Sequence, residues 1–357
     1  MQMNKLKKIL KLIFIDGLSG MAYGLFATLI VGTIIGQIAS YINGNVGAWL
    51  SAIASFAKAL TGAGIGVGVA CKFKKAPLVV IGSAAVGMIG AFASSILKGT
   101  AIEGGKVVLS GPGEPLGAFI AVISAIAIAS LVSGKTKLDI IVTPVTMLIV
   151  GGAAGLVLGP PISALMTTLG GFVNWGTQRQ PFVMGIVVSA IMGIFLTLPI
   201  SSAAIGVALG LEGLAAGAAV VGCCCQMVGF AVSSYRENRV GGLFAQGIGT
   251  SMLQMPNIVR HPLIWIPPTL ASAVLGPVAT VILKVTCNPV GSGMGTAGLV
   301  GPIMTYTTMV NGGWSVASAI LVILGILIIA PAVLSLCFSE IMRKRGWIKF
   351  GDMRLEM

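Results

Sequence analysis

One acidic side chain stands in a setting suited to binding a hydroxylated molecule: Glu114, in the segment GPGEPLGAF of residues 111–119. Pro115 suits the first turn of a helix, where its missing N–H is not needed, and Gly113 lets a ligand approach the backbone closely. A carboxylate held there can accept two hydroxyl hydrogen bonds from a polyol, or take a proton from a hydroxyl. The alternative is a loop glutamate that simply favours the helix N-terminus through the helix dipole.

Five further charged or polar residues lie inside or beside apolar segments, where burying a charge costs much free energy. Glu212 lies in LGLEGLAAG and Lys58 in WLSAIASFAKALTGAG; each either contacts a partner or solute, or reaches the membrane interface. His261, the only histidine, is either a proton carrier or hydroxyl ligand, or an interfacial residue. Asn288 and Ser292 open a Gly-rich stretch, and they complete the set of predicted substrate-binding residues.

The cysteines indicate neither a disulfide framework nor a metal site. They are Cys71, the consecutive Cys223, Cys224 and Cys225, Cys287 and Cys337, and no histidine lies near the run of three. We interpret that run as small buried residues in helix packing. With one histidine and no paired acidic motif, we expect no metal and no cofactor, and we assign no catalytic residue.

The elements that must position these residues are set by composition. Lys, Arg, Asp and Glu make up 9% of the 357 residues, against about a quarter in a soluble protein. So much apolar surface predicts an all-α polytopic membrane protein. The net charge of +13 comes from lysines and arginines in short loops and tails. This positive-inside pattern indicates contact with anionic membrane lipids and not with nucleic acid.

Apolar runs and loop charges together predict about ten crossings with both termini cytoplasmic, because every strongly basic loop then falls on one side. The apolar segment at the N-terminus continues without a cleavage context, so we interpret it as a first span and not as a signal peptide. The runs lie at about 12–42, 47–70, 76–97, 115–133, 138–158, 161–175, 181–199, 202–233, 263–285 and 315–338.

Two Gly-rich and polar segments, 240–258 and 288–310, are unsuited to crossing in contact with lipid. Their exposed backbone groups can be satisfied at membrane depth only in protein or in a cavity. We therefore predict two re-entrant hairpins of the kind that build transporter sites. A possible inverted repeat pairs 62–69 with 202–209, and the GPGEPLG segment with GSGMGTAG near Gly293; chance similarity of Gly-rich sequence is the alternative.

The segment GPGEPLGAFIAVISAIAIASLVSGKTKLDIIVTP, with the Gly-rich span to GPP at 159–161, resembles the IIC membrane component of the bacterial sugar phosphotransferase system. Among these proteins the chain resembles the PfoR-like branch, labelled as toxin regulators. The resemblance covers essentially the whole chain and implies a homodimer with ten spans and two re-entrant hairpins, as in the glucose superfamily. It also implies that a glutamate before proline holds the sugar, which Glu114 matches earlier in the chain than the family motif, and that His261 is the one candidate for a histidine near the sugar.

These observations predict one IIC-like transmembrane domain over 1–357, without a soluble IIA or IIB domain, in the bacterial cell membrane. The expected function is transport of a small hydroxylated solute, a sugar or sugar-like molecule, by alternating access, alone or with separate IIA and IIB partners. Two alternatives stay open: a IIC-like receptor that senses a ligand and controls gene expression without transport, and a channel or structural membrane protein. As an enzyme, the chain is at most the membrane component of a sugar phosphotransferase.

Overall fold

The computed structural model describes residues 8–109, 111–135 and 138–355, and it divides into two compact units, Met1–Met166 and Thr167–Met357. Helices form nearly all the regular structure; within the described ranges the exception is an antiparallel pair of short strands, β1 (Ile102–Glu103) and β2 (Lys106–Val107). Several helices are long and apolar enough to cross a membrane. The prediction of an all-α polytopic membrane protein is therefore confirmed.

The first unit is built mainly from helices. They are α1 (Lys8–Ala39), α2 (Asn45–Ala59), α3 (Thr61–Lys72), α4 (Pro77–Ala91), α5 (Ala93–Leu97), α6 (Pro115–Val132) and the start of α7 (Asp139–Thr177). Helix α3 is central, since it packs against α1, α4 and α6. Glycines make the close approach possible: a Cβ on Gly24 of α1 would overlap the backbone of Gly64 on α3. Small residues allow such backbone contact, which lipid cannot replace.

Two helix breaks shape this unit. Helices α2 and α3 meet at Leu60 with a bend of 52°. Helix α4 ends at Ala91, and Phe92 leaves the helical region with φ −108° and ψ 15° before the short α5 begins. Both breaks lie on the side of the unit from which α6 starts, because Gly62 and Gly113 both approach Ala91.

The second unit is built around three mutually packed helices, α8 (Pro181–Thr197), α10 (Gly213–Ser233) and α13 (Pro262–Ile282), with α16 (Val316–Lys344) against α10 and α13. Helix α10 is enclosed along nearly its whole length from Ala216. Shorter helices connect these spans: α9 (Ser202–Ala208), α11 (Tyr235–Phe244), α12 (Met255–Arg260), α14 (Pro289–Ser292) and α15 (Val300–Asn311).

The two segments predicted to be re-entrant are broken in the structure. Residues 240–258 pass from α11 through a π-helix, Ala245–Gly249, and a 3-10 helix, Ser251–Gln254, into α12. Residues 288–310 contain α14, a 3-10 helix at Ala297–Leu299 and α15. Their Gly and polar content therefore prevents one continuous helix in either segment.

By length and composition, six helices of the described residues can cross a membrane, or seven if the bent pair α2–α3 forms one span. The six are α1, α6, α7, α10, α13 and α16, while α4 and α8 are apolar but shorter. The predicted number of about ten crossings stays a prediction.

A break that the sequence predicts between 138–158 and 161–175 is wrong. Helix α7 continues through Pro160 and Pro161 to Thr177. A proline removes one backbone donor, but its fixed φ near −65° is compatible with a helix. In apolar surroundings the loss of two donors costs less than opening the helix and exposing further backbone groups.

Candidate functional site

Glu114 begins helix α6. It is the N-cap residue, with extended backbone at φ −98° and ψ 111°, and its Oε1 accepts a hydrogen bond of 3.4 Å from the N–H of Leu116. Pro115 is the first helical residue, as the sequence predicts. Gly113 has φ 72°, a left-handed conformation in which a side chain is strained. The chain therefore turns sharply into the span, and the carboxylate lies at the end of the span where α6 begins.

Ala91 joins this helix start to the breaks of two neighbouring helices. The Glu114 N–H donates a hydrogen bond of 2.8 Å to the Ala91 carbonyl oxygen, which lies where α4 breaks. A Cβ on Gly113 would lie 2.7 Å from the Ala91 Cβ, and one on Gly62, beside the α2–α3 bend, would lie 2.9 Å from it. The α2–α3 bend, the end of α4 and the start of α6 therefore lie close together around Ala91.

The electrostatic setting of Glu114 is set by burial and not by a counter-ion. Among the described residues no ion pair involves it. Burial raises the pKa of Glu114 to about 7, and the hydrogen bond from the Leu116 N–H opposes part of that rise. The carboxyl group therefore changes charge near neutral pH and has acceptor capacity to spare for hydroxyl groups.

Lys58 lies in the last turn of α2, close to the bend at Leu60. Its carbonyl oxygen accepts a 2.6 Å hydrogen bond from the Thr61 hydroxyl, and its side chain packs over Gly32 and Gly36 of α1. In the described ranges it forms no ion pair, with Glu114 or with another carboxylate. Its position favours an aliphatic stem packed on small residues.

In the second unit the structure brings Glu212 and Asn288 together. Gly213 and Cys287 form an antiparallel bridge, with N···O distances of 3.1 and 3.2 Å, so their neighbours Glu212 and Asn288 lie side by side. Glu212 is the exposed N-cap residue of α10 and makes no side-chain cap bond. The side chain of Asn288 caps α14 through the N–H of Gly291 at 2.9 Å.

The other two predicted residues of this unit have local partners. Ser292 is fully buried, and its hydroxyl donates 2.8 Å to the carbonyl oxygen of Pro289 within the same turn. His261 is exposed at the end of α12, with Nδ1 3.6 Å from Oδ1 of Asp352. The structure thus places His261 against a different segment from the pair of Glu212 and Asn288.

Sequence reasoning missed a buried polar cluster between the spans of the second unit. Oε1 of Gln226, on α10, accepts hydrogen bonds from the Thr197 hydroxyl at 3.3 Å and the Trp265 indole N–H at 3.1 Å. Its Nε2 donates 3.0 Å to Thr269, and Thr197 also bonds the Ser251 hydroxyl at 2.8 Å. We call these five residues the polar cluster. The available signal was an amide inside the apolar run CCCQMVGF, since polar groups at such a depth need partners.

Each unit contains the same order of elements around an acidic N-cap residue. In the first unit, α4 begins at a proline and is followed by a break, the short α5, Glu114 and the apolar α6. In the second, α8 begins at a proline and is followed by a break, the short α9, Glu212 and the apolar α10. In this order of elements GLEGL at 210–214 takes the place of GPGEPLG, whereas the sequence comparison pairs GPGEPLG with GSGMGTAG near Gly293. The predicted match of 62–69 to 202–209 pairs part of the continuous α3 with the short α9.

Long apolar spans interrupted by broken helices are typical of one class of protein, the membrane transporters. The chain belongs to a family within that class: the family model described as "Phosphotransferase system, EIIC" matches residues 15–355. The predicted IIC identity is thereby confirmed, and the protein is a multi-pass membrane component of the sugar phosphotransferase system. No curated protein matches the chain. In the part that the structure describes, no group of three His, Cys, Asp or Glu residues could hold a metal ion.

Proposed function

We propose that the chain carries a small hydroxylated solute, a sugar or sugar-like molecule, by alternating access, and that Glu114 is its principal polar ligand. Support comes from the family and from the two helix breaks that meet the start of α6 at Ala91. Backbone freed from a helix at such breaks offers carbonyl and N–H groups to a polar solute. Gly113 and Pro115 contribute by shaping the turn that presents the carboxylate.

The observation that carries the proposal is the spare acceptor capacity of Glu114. A carboxylate has about four lone-pair sites, and the hydrogen bond from Leu116 N–H uses one of them with a long distance of 3.4 Å. No basic side chain of the described residues neutralises it. Two sugar hydroxyls would supply the missing donors, each in a charge-assisted hydrogen bond.

Glu212 and Asn288 are the second polar pair that we assign to solute binding, because they lie side by side where α9, α10 and α14 meet. A carboxylate and an amide together offer acceptors and donors to a polyol. Lys58, His261 and Ser292 keep a weaker place in the proposal, since each already has a local packing or bonding partner.

The arrangement in the membrane is part of the same proposal: about ten crossings, an even number because both termini are cytoplasmic, with re-entrant segments 240–258 and 288–310 and cytoplasmic basic loops. Ion pairs within the second unit support it, because Arg236 contacts Glu340 and Arg343 contacts Glu237. The basic clusters of α11 and α16 therefore lie at one end of that unit, as the positive-inside pattern requires. We further propose a homodimer of the PfoR-like branch that works with separate IIA and IIB proteins.

Uptake by the purified full-length chain in proteoliposomes tests the function. A panel of radiolabelled hexoses, hexosamines, pentitols and disaccharides would be offered with and without cytosolic phosphotransferase proteins and phosphoenolpyruvate. Uptake of at least one sugar that Glu114→Gln abolishes supports the proposal. Saturable binding without uptake under either condition would favour the receptor instead, and unchanged uptake by Glu114→Gln would move the site to Glu212 and Asn288.

A further inference from the structure

Residues 346–355, which we call the strap, lie on the broken segment 235–261, which we call the seat. The strap is held mainly through its backbone. The side chains of Asn238 and Gln254 donate to the Met353 carbonyl oxygen at 2.8 and 3.0 Å, and Asn257 donates to that of Arg354 at 2.9 Å. Met353 and Ile348 are buried anchors of the strap, at 0% and 2% exposure. A seat that satisfies main-chain groups and two apolar side chains holds one defined conformation of the strap.

Asn238 contacts the strap with both ends of its amide. Besides its bond to Met353, its Oδ1 accepts a hydrogen bond of 2.8 Å from the N–H of Leu355. In an extended chain the carbonyl of one residue and the N–H two residues later point to the same side, as in a parallel β-bridge. The amide of Asn238 therefore replaces the backbone of a neighbouring strand, and it is 8% exposed.

A buried ion pair fixes the base of the strap. Nη2 of Arg343 lies 2.8 Å from Oε1 of Glu237, with side chains 8% and 0% exposed. The same Oε1 accepts from the N–H of Gly351 at 3.4 Å. Buried charges of opposite sign are retained together, because either one alone would be left uncompensated.

The seat, the broken segment 235–261, is a series of short helices of different types and not one continuous helix. Arg239 has φ 51° and ψ −151° inside α11, and Thr250 is extended between the π-helix and the 3-10 helix. Its buried amides are bonded to one another instead: Gln254 Nε2 donates 2.8 Å to Gln246 Oε1, and Asn257 Nδ2 donates 2.8 Å to Gln254 Oε1. A segment without a continuous helical ladder depends on such side-chain contacts for its stability.

The 3-10 helix Ser251–Gln254 connects the strap to the polar cluster. Gln254 at one end bonds the strap at Met353, and Ser251 at the other end bonds Thr197, which bonds Gln226. A rigid turn of four residues thus separates the strap from an amide that lies between α8, α10 and α13. Displacement of the strap removes one of the two hydrogen bonds that Gln254 Nε2 donates and leaves the bond to Gln246. The turn thereby loses a contact that holds it at this end, which weakens its fixed position.

We propose that the strap is a latch on the broken segment: docked, it fixes the turn Ser251–Gln254 and with it the hydrogen bonds of Gln226; released, it lets both rearrange. The proposal does not depend on Glu114 or on which solute is carried. It identifies the strap as the place where a contact outside the spans can change their interior.

Hydrogen–deuterium exchange on the full chain in detergent tests the first half of the proposal. Asn238→Asp replaces the donor to Met353 with a carboxylate, and Asn311→Asp, on the exposed end of α15, is the matched control. Exchange in peptides 346–355 and 245–254 should rise about tenfold in Asn238→Asp, as loss of one buried hydrogen bond implies, and not in the control. A rise confined to 346–355, or no rise in either peptide, would overturn the latch.

Trp265 reports on the polar cluster and tests the second half. Trp49→Phe, Trp175→Phe, Trp314→Phe and Trp347→Phe leave it as the one tryptophan of the chain. In that background Leu355→Pro, which removes the donor to Asn238 and changes no residue of the segment 235–261, should shift the Trp265 emission. The shift should disappear when Gln254→Met is added. An unchanged emission in Leu355→Pro, or a shift that survives Gln254→Met, would disprove the coupling.

Discussion

The backbone N–H of Glu114 donates a 2.8 Å hydrogen bond to the carbonyl oxygen of Ala91. Ala91 is the last residue of α4, where a helix leaves carbonyl groups unpaired. One hydrogen bond therefore satisfies the end of one helix and fixes the start of the next. Because it uses the backbone of Glu114 and not its carboxylate, the side chain can be changed without breaking this bond. Apart from the bond from the Leu116 N–H, the carboxylate keeps acceptor capacity for a solute.

Glu114→Gln should weaken solute binding by about 1.5–3 kcal/mol, the usual contribution of a hydrogen bond to a charged group. The amide keeps the size and one acceptor oxygen but loses the charge. Binding of the transported sugar, measured by isothermal titration calorimetry in detergent, checks this.

Glu103→Gln is the matched control for that substitution, because Glu103 is exposed on β1 and lies apart from any helix start. Its sugar affinity should equal that of the unmodified chain. Equal affinity in Glu114→Gln as well, in protein that elutes and melts normally, would remove Glu114 from the site.

Solute affinity should increase with pH between about pH 6 and pH 8. Burial raises the pKa of Glu114 to about 7, so the ionised fraction rises from about one tenth to about nine tenths across that interval. The ionised form accepts hydroxyl hydrogen bonds better than the protonated one. Calorimetric titrations at several pH values should show this trend in the unmodified chain and none in Glu114→Gln; an identical trend in both would assign it to another group.

The same pKa predicts how stability depends on pH. The folded chain holds a proton on Glu114 between about pH 4.5 and pH 7 that the unfolded chain releases, so this group disfavours folding progressively as pH rises through that window. Glu114→Gln should therefore raise the melting temperature at pH 8 and change it little at pH 4.5. Thermal unfolding of both proteins at the two pH values measures the difference, and a larger gain at low pH would contradict it.

Gly113→Ala should destabilise the first unit and displace Glu114. Gly113 has φ 72°, and an added Cβ would lie 2.7 Å from the Cβ of Ala91. Gly111 has the same φ of 72° with nothing within 4 Å, so Gly111→Ala carries the conformational strain alone. The left-handed conformation costs about 1–2 kcal/mol in either variant, and crowding adds about 1–3 kcal/mol at Gly113. Equal melting temperatures in Gly113→Ala and Gly111→Ala would show that Ala91 moves aside at no cost in free energy.

Part of this site follows from local sequence. Pro115 at a first helical position and Gly113 before it mark the start of α6, because these residues act through their own backbone. Composition alone identifies a membrane protein, because a protein surface this apolar is stable only in contact with lipid.

Other features depend on contacts that local sequence does not contain. The bond between Glu114 and Ala91 joins residues across a chain reversal, and the strap contacts residues about a hundred positions earlier. Pro160 and Pro161 predict a helix end by the local rule, which the apolar surroundings of α7 override. The pattern of charges does not point to Gln226, because a buried amide carries no charge.

Arg343→Gln should cost about 3–5 kcal/mol, because it leaves the carboxylate of Glu237 buried without a counter-ion. Arg236→Gln is the matched control: its partner Glu340 and Arg236 itself are 30% and 61% exposed, so its ion pair is solvated. Loss of an exposed pair costs about 0–1 kcal/mol. The double variant Arg343→Gln with Glu237→Gln should recover much of the loss, since two amides can bond each other without a buried charge. Thermal unfolding of the four proteins decides the matter: equal losses in Arg343→Gln and Arg236→Gln would show that the pair at the base of the strap is hydrated and that burial does not set its strength.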